Sequence, residues 1–146
     1  MFRRLLYTSA GWELTVARLA LGIVMFPHGI QKTLGWFGGP GFHNMMAGFT
    51  QGGIPAPLAF LAICAEFLGG LGLILGLLAR VAAFGITCVM LVAIVKVNLA
   101  NGFFINWAGN QKGEGIEFHV LAIGIAIAVM LKGAGAFSLD RALSRS

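Results

Sequence analysis

The sequence predicts an all-α integral membrane domain, a bundle of four transmembrane helices with both termini in the cytoplasm. Three observations support this prediction. Hydrophobic residues make up 58% of the 146 residues and charged residues only 10%, whereas a soluble domain carries about 25% charged residues. The apolar residues stand in four long blocks, and most basic residues fall beside the same ends of those blocks. The length is that of a single domain.

Each apolar block approaches the roughly 20 residues that a helix needs to cross a bilayer. We place the spans near residues 12–34, 57–78, 81–100 and 116–131, of which the last is the shortest. Glu13 and Arg18 interrupt the apolar run that a signal peptide would need, so we interpret the first block as a retained helix. The tight Leu78-Ala79-Arg80 connection predicts that the second and third helices are antiparallel neighbours.

The basic residues set the predicted orientation, because Lys and Arg accumulate in cytoplasmic loops. Two loop or helix-end residues, Lys32 and Lys112, fall on the outer side. Six fall on the opposite side, which we predict to be cytoplasmic: Arg3, Arg4, Arg80, Lys132, Arg141 and Arg145. The net charge of +5 therefore has a topological explanation. Because no exposed cluster of Lys and Arg is visible, we expect no nucleic-acid partner.

The first outer loop, residues 35–56, carries an apolar pattern with helical spacing. Phe42, Met45, Met46 and Phe49 follow the i, i+3, i+4, i+7 spacing of one helix face. This pattern predicts a short amphipathic helix that lies on the outer surface or is tucked over the bundle. A plain ordered loop is the alternative.

Glycine is abundant, with 22 residues, and small residues let membrane helices approach closely. Gly72 and Gly76, four residues apart, predict such a contact on the second helix. Close packing of this kind also suits a homo-oligomer, but the sequence does not indicate which helix would face a second copy. In the tail, Ser138-Leu139-Asp140-Arg141 is typical of a capped short helix, which we interpret as an anchor.

Polar residues inside the spans are the candidate functional residues, because ionisable groups are costly in a bilayer and tend to pair within the bundle. Seven fall in the predicted outer half, and they come from all four helices: His28, Lys32, Glu66, Lys96, Asn98, Glu117 and His119. Their convergence predicts a polar pocket open to the outside, with Glu66 deepest. Alternatively, Glu66 forms a salt bridge with Lys32 or Lys96 that fixes helix register, or Lys96 snorkels outward.

Two further basic residues, Arg18 and Arg80, are interpreted as structural, with Arg18 bound to a helix-end carbonyl or a lipid phosphate. We predict no metal site, because Glu117 and His119 do not share a helix face and the nearby lysines would repel a cation. Organic anions, quinones or other polar-headed lipids suit a site of Lys, His and Glu better.

Five elements follow one another along the chain: Arg18, Pro27-His28-Gly29-Ile30-Gln31-Lys32, Glu66-Phe67-Leu68-Gly69-Gly70, Gly76-Leu77-Leu78-Ala79-Arg80 and Glu117. Together they resemble the DoxX family of small bacterial membrane proteins, over about residues 17–140. The resemblance implies a four-helix, multi-pass protein of the bacterial inner membrane. It also implies a link to redox systems, since the family is named for its similarity to a subunit of a thiosulfate:quinone oxidoreductase. It assigns no catalytic residue.

Three functions remain open at this point. The first is a subunit or partner of a membrane oxidoreductase, itself non-catalytic, that binds a quinone or similar lipid-soluble molecule and works with a redox protein partner. His28 would then contact a quinone oxygen, Glu66 would relay protons, and Lys32 or Lys96 would stabilise negative charge. The second is a carrier of a small polar or anionic solute. The third is a structural or assembly protein with a polar core.

Overall fold

The chain folds into helices joined by short connections. The computed structural model describes residues 6–145, and no strand occurs among them. The helices are α1 (Trp12–Thr33), α2 (Gly41–Gln51), α3 (Ala56–Leu75), α4 (Ala79–Ala93), α5 (Glu117–Lys132) and α6 (Leu139–Arg145). A 3-10 turn, Trp36–Gly38, follows α1. A π turn, Ile94–Asn98, and a 3-10 turn, Leu99–Asn101, continue α4. Arg3 and Arg4, on which the predicted orientation partly rests, lie outside the described residues, as does the side chain of Arg145.

Within the described part of the chain, three helices are long and apolar enough to cross a membrane. They are Trp12–Thr33, Ala56–Leu75 and the extended α4, Ala79–Asn101. The 16 residues of α5 make a helix of about 24 Å, which is shorter than the hydrocarbon core of about 30 Å. The all-helical class is confirmed, whereas the fourth span and the cytoplasmic termini stay predictions.

Three glycines bring α1 and α3 into near contact of their backbones. At each, a Cβ atom would lie within 3 Å of a backbone nitrogen of the other helix: Gly22 against Ile74 (2.9 Å), Gly70 against Phe26 (2.7 Å) and Gly29 against Phe67 (2.6 Å). The pairs advance along α1 by the same steps as they retreat along α3. The two helices are therefore antiparallel and keep one register over this length.

The predicted Gly72–Gly76 packing step is wrong. Gly76 lies just beyond the end of α3 with φ of 67°, which is the left-handed conformation that glycine adopts at helix C-termini. A Cβ on Gly72 would meet the carbonyl oxygen of Leu77, which belongs to the same turn. Gly76 therefore belongs to the α3–α4 turn, where it lies against Ser138, and Gly72 faces both that turn and Ala82 of α4. The closest approach of two helix backbones is at Gly22, Gly29 and Gly70.

The register offsets α1 and α3 along their common axis. α3 extends past the end of α1 by about seven residues, roughly 10 Å, and α1 extends past the end of α3 by about nine, roughly 14 Å. α2 packs against the first overhang, where the rings of Phe42 and Phe60 lie 6.2 Å apart. The segment 133–140 packs against the second, where the amide of Phe137 donates to the Thr15 hydroxyl at 3.4 Å.

α2 confirms the short helix predicted in the first outer loop. It contacts both α1 and α3, in agreement with a helix tucked over the bundle, yet none of its residues is buried. It therefore covers the end of α1 as a single helix whose own residues stay at least partly exposed.

The apolar core lies between α4 and α5 and the facing sides of α1 and α3. Its larger members come from all four helices: Leu21, Met25, Leu73, Ile86, Met90 and Val129. The remainder are alanines that keep the helices close: Ala79, Ala83, Ala122, Ala126 and Ala134. α5 ends at Gly133, where φ is 88° and a Cβ would lie 2.8 Å from the carbonyl oxygen of Tyr7.

Candidate functional site

Lys32 and Glu66, which we call the Lys–Glu pair, join the end of α1 to the middle of α3. The Lys32 ammonium donates to Glu66 Oε1 at 2.5 Å and also contacts Oε2. The Glu66 side chain is 2% exposed and that of Lys32 is 23% exposed. An isolated charge at such a position costs several kcal/mol, so the ammonium group compensates a carboxylate that would otherwise be costly to bury.

The close α1–α3 contact positions this pair. Gly29 rests on Phe67, and Lys32 and Glu66 lie within one helical turn of that contact. The Thr33 hydroxyl donates to the Gly29 carbonyl at 2.8 Å, which ties down the last turn of α1. A lysine in this last turn also faces the negative end of the helix dipole. The pair is thus held by backbone geometry as well as by charge.

One aromatic ring approaches the ammonium group of Lys32, and two others stack on each other where α1 meets α3. Its ammonium lies 6.0 Å from the centroid of the Phe49 ring on α2. The rings of Phe26 and Phe67 are stacked with centroids 5.5 Å apart. An ammonium group has three N–H donors, and two suffice for the carboxylate, so a third is left for a ligand oxygen under α2.

The structure places the remaining predicted site residues separately. His28 is exposed, and its ring lies 6.5 Å from that of Phe118. The Phe118 ring in turn lies 5.6 Å from that of His119, which is buried. An aromatic ring thus separates the two histidines.

Lys96 and Asn98 lie in the π turn and face different surroundings. Lys96 is exposed, while the buried Asn98 amide donates to the Glu114 carbonyl at 2.9 Å. The carboxylate of Glu117 accepts the amide of Ile105 at 3.1 Å. The hydrogen bonds of Asn98 and Glu117 therefore brace the loop 102–116. Direct contact in the predicted cluster is seen between Lys32 and Glu66.

A second polar cluster, the arginine clamp, consists of Arg18, Arg80 and Asp140 with the backbone groups they bind. The buried Arg18 guanidinium donates to four carbonyl groups: Ala134 (2.8 Å), Ile74 (2.7 Å), Phe137 (2.6 Å) and Leu73. The last carbonyls of a helix have no partner within it. Arg18 thus satisfies the end of α3 and binds the segment after α5 to it.

Asp140 binds backbone amides at the start of α4, as Arg18 binds backbone carbonyls at the end of α3. Its carboxylate accepts the amides of Leu78 at 2.7 Å and Ala79 at 2.9 Å. Leu78 has φ of 48°, a conformation that is unfavourable for a residue with a side chain and that Asp140 holds in place. Burial raises the pKa of the Asp140 carboxyl, although both amide hydrogen bonds and the charges of Arg18 and Arg80 oppose that rise.

Arg80 closes the clamp from the other side. Its guanidinium donates to the carbonyls of Met130, Leu131 (3.2 Å) and Tyr7 (3.1 Å). Sequence reasoning missed Asp140 as a member of this cluster. The signal was an acidic residue in a basic tail, together with an α4 start that has no side-chain cap of its own.

The Lys–Glu pair is suited to binding and proton exchange, and the arginine clamp to holding backbone. No group of three His, Cys, Asp or Glu side chains is placed for a metal ion among residues 6–145.

The protein family model DoxX matches residues 13–99, a stretch that contains Arg18, Lys32, Glu66 and Arg80. No curated protein and no solved structure was found to match the chain.

Proposed function

The chain belongs to the DoxX family, and from this membership we propose that it is a membrane subunit or partner of a redox system that binds a quinone or similar lipid-soluble molecule at the Lys–Glu pair. The carrying observation is a buried carboxylate held by an ammonium group that stays partly exposed under the thin cover of α2. The proposed location is the bacterial inner membrane, and the proposed partner is a redox protein.

The residues at the pair fit such a ligand. Lys32 has an N–H donor left for a carbonyl oxygen of the quinone, and Phe49 offers an apolar face next to the ammonium. When bound, the quinone supplies two-electron, two-proton chemistry, with the electrons coming from the redox partner and the protons from water. Glu66 keeps Lys32 charged in an apolar setting and is itself a group that can hold a proton within hydrogen-bond reach of the amine.

A structural or assembly role is the second candidate, and one observation favours it. Lys32 contacts both oxygens of Glu66 directly, which is the geometry of an ion pair that fixes helix register. Replacing such a buried pair by apolar residues is often neutral or stabilising. In that role the pair would fix the register of α1 on α3 and would bind no ligand.

Binding of decylubiquinone to the protein in lipid nanodiscs tests the proposal. We expect the double variant K32M/E66L to keep its stability, because both charges leave together, and to lose at least about tenfold in affinity, the equivalent of one charge-assisted hydrogen bond. K96M is the matched control, because Lys96 is an exposed lysine of the π turn, and its affinity should equal that of the wild type.

Two results would contradict the proposal: a wild type that does not bind the quinone, or a double variant that binds it as tightly as the wild type. The single variant E66L then tests the structural role separately. If E66L loses about 3 kcal/mol of unfolding free energy but binds the quinone as tightly as the wild type, the pair serves the register of α1 on α3.

A further inference from the structure

An open groove of about 430 Å³ lies beside the arginine clamp. Its lining comes from the segment before α6 and from α6 itself: Ala136, Phe137, Ser138, Arg141 and Ala142. We propose that this groove binds the phosphate of an anionic phospholipid, with the acyl chains lying along Phe137. The proposal does not depend on what the Lys–Glu pair binds.

Exposed aromatic residues place the groove at the level of the lipid headgroups. Tyr7 and Trp12, beside the start of α1, are 68% and 69% exposed, and Phe137 is 78% exposed. The amide of Ala136 donates to the carbonyl of Gly11 at 3.1 Å, which puts the groove next to Trp12. Aromatic rings concentrate where membrane helices meet the headgroups, and there the abundant ligand that combines a negative charge with apolar chains is a phospholipid.

Arg141 supplies the charge for this site. Within residues 6–145, the Arg141 guanidinium makes one hydrogen bond, to the Ala136 carbonyl at 3.5 Å, the long limit for such a bond, whereas a guanidinium has five N–H donors. The planar fork of Arg matches two oxygens of a phosphate. Arg18 and Arg80 differ, because they donate to four and to three backbone carbonyls, respectively.

The surroundings favour an anion and hold Arg141 in place. The Ser138 hydroxyl accepts the amide of Arg141 at 3.3 Å and donates to the Gly135 carbonyl at 3.0 Å, which fixes the first turn of α6. Lys132, at the end of α5, adds an exposed cation to the half-buried Arg141 at this end of the bundle. Asp140 is buried and binds the amides of the α3–α4 turn, so its carboxylate does not face the groove.

Lipid retention on the purified full chain tests the site. The protein is delipidated in detergent and titrated with dioleoylphosphatidylglycerol or dioleoylphosphatidylcholine, and bound lipid is counted by native mass spectrometry. We expect phosphatidylglycerol to be retained in preference, and R141Q to lower its retention about fivefold, the effect of one cation near an anionic headgroup. A142F, which fills the groove without changing charge, should lower it as well.

K112Q is the matched control, because Lys112 is exposed in the loop 102–116, and it should retain lipid as the wild type does. Equal retention in the wild type, R141Q and A142F would overturn the proposal. Displacement of phosphatidylglycerol by millimolar inorganic phosphate would also overturn it, because the site would then recognise free phosphate and not a lipid.

Discussion

The two ends of the α1–α3 contact both bury charge, but they use it differently. At the arginine clamp, Arg18 and Asp140 bind backbone carbonyls and amides. About 21 Å further along α1 by helical rise, Lys32 and Glu66 bind each other. Backbone-directed charges complete the helix ends and use most of their donors and acceptors on backbone groups. Side chains that pair with each other leave N–H donors unused, as the binding site that we propose at the Lys–Glu pair requires.

The segments that cover the two ends also differ, in how deeply their residues are buried. The segment over the clamp is buried at Gly133, Ala134 and Gly135 and again at Asp140, and it is hydrogen-bonded to α1 and to the α3–α4 turn. α2, over the Lys–Glu pair, has no buried residue. Segments with few buried contacts open at low free-energy cost. The Lys–Glu pair therefore lies under the less buried of the two covering segments, which agrees with the ligand site that we propose there.

The largest effect is expected from R18M. This change leaves two buried and two partly buried carbonyl groups without this donor, and each unsatisfied buried group costs about 1–3 kcal/mol. After relaxation we expect a loss of roughly 4 kcal/mol in unfolding free energy, comparable to breaking a buried charge interaction. Unfolding by added dodecyl sulfate in mixed micelles, followed by circular dichroism, measures it.

R18K is the informative companion variant. It keeps the charge, but an ammonium cannot reach carbonyls on two sides of a planar fork, so most of the loss should remain. Full stability of R18K would mean that charge alone matters at this end, and the contrast with the Lys–Glu pair would disappear.

The sequence predicts the helices well because their apolar blocks and bounding glycines are local features. It also predicts that Arg18 binds a helix-end carbonyl or a lipid phosphate, and that Glu66 pairs with Lys32 or Lys96, because a charge inside a span must find a partner. The structure shows the carbonyls and Lys32 as those partners. It does not predict the role of Asp140, which caps a helix some sixty residues earlier in the chain. Such a cap depends on how α6 is placed, and no spacing within the sequence records that.

Dependence on how the helices are placed also explains two other differences between the prediction and the structure. Asn98 is buried in the π turn and Lys96 is exposed, whereas the prediction placed both in one pocket because both fall in the outer half of the bundle. Glycine spacing suggested Gly72 and Gly76 as the contact step, while the contact uses Gly29 and Gly70 on different helices. Pairing between helices depends on register, which a single helix's pattern does not contain.

A smaller effect is expected from G29A, which separates α1 from α3 at the Lys–Glu pair. The new Cβ would lie 2.6 Å from the Phe67 nitrogen, so the helices must move apart, at a cost of about 2 kcal/mol for overpacking. G124A is the matched control, because no atom lies within 4 Å of its Cβ position in α5, and it should change stability by less than about 0.5 kcal/mol. The unfolding assay compares both variants, and equal effects would show that the α1–α3 contact does not set the geometry of the pair.

The smallest effect, and the sharpest test of the clamp, is expected from D140N. An amide keeps one acceptor oxygen for the two amides of Leu78 and Ala79, so about 1 kcal/mol of hydrogen bonding is lost. Burial raises the pKa of the Asp140 carboxyl in the folded protein, so the folded state binds the proton more tightly than the unfolded one. The stability that this proton gives is complete below the unfolded pKa of about 3.9 and is lost as pH rises through the raised folded pKa.

D140N has no such proton, so the gap in unfolding free energy between the wild type and D140N should narrow as the pH is raised from about 4, near the unfolded pKa. Parallel pH series of the dodecyl sulfate assay on the two proteins measure this gap, and titrations common to both cancel. A gap that widens with pH would mean that Arg18 and Arg80 outweigh burial at Asp140. The clamp would then be an ion-pair site like the Lys–Glu pair, and the two ends of the bundle would follow one principle.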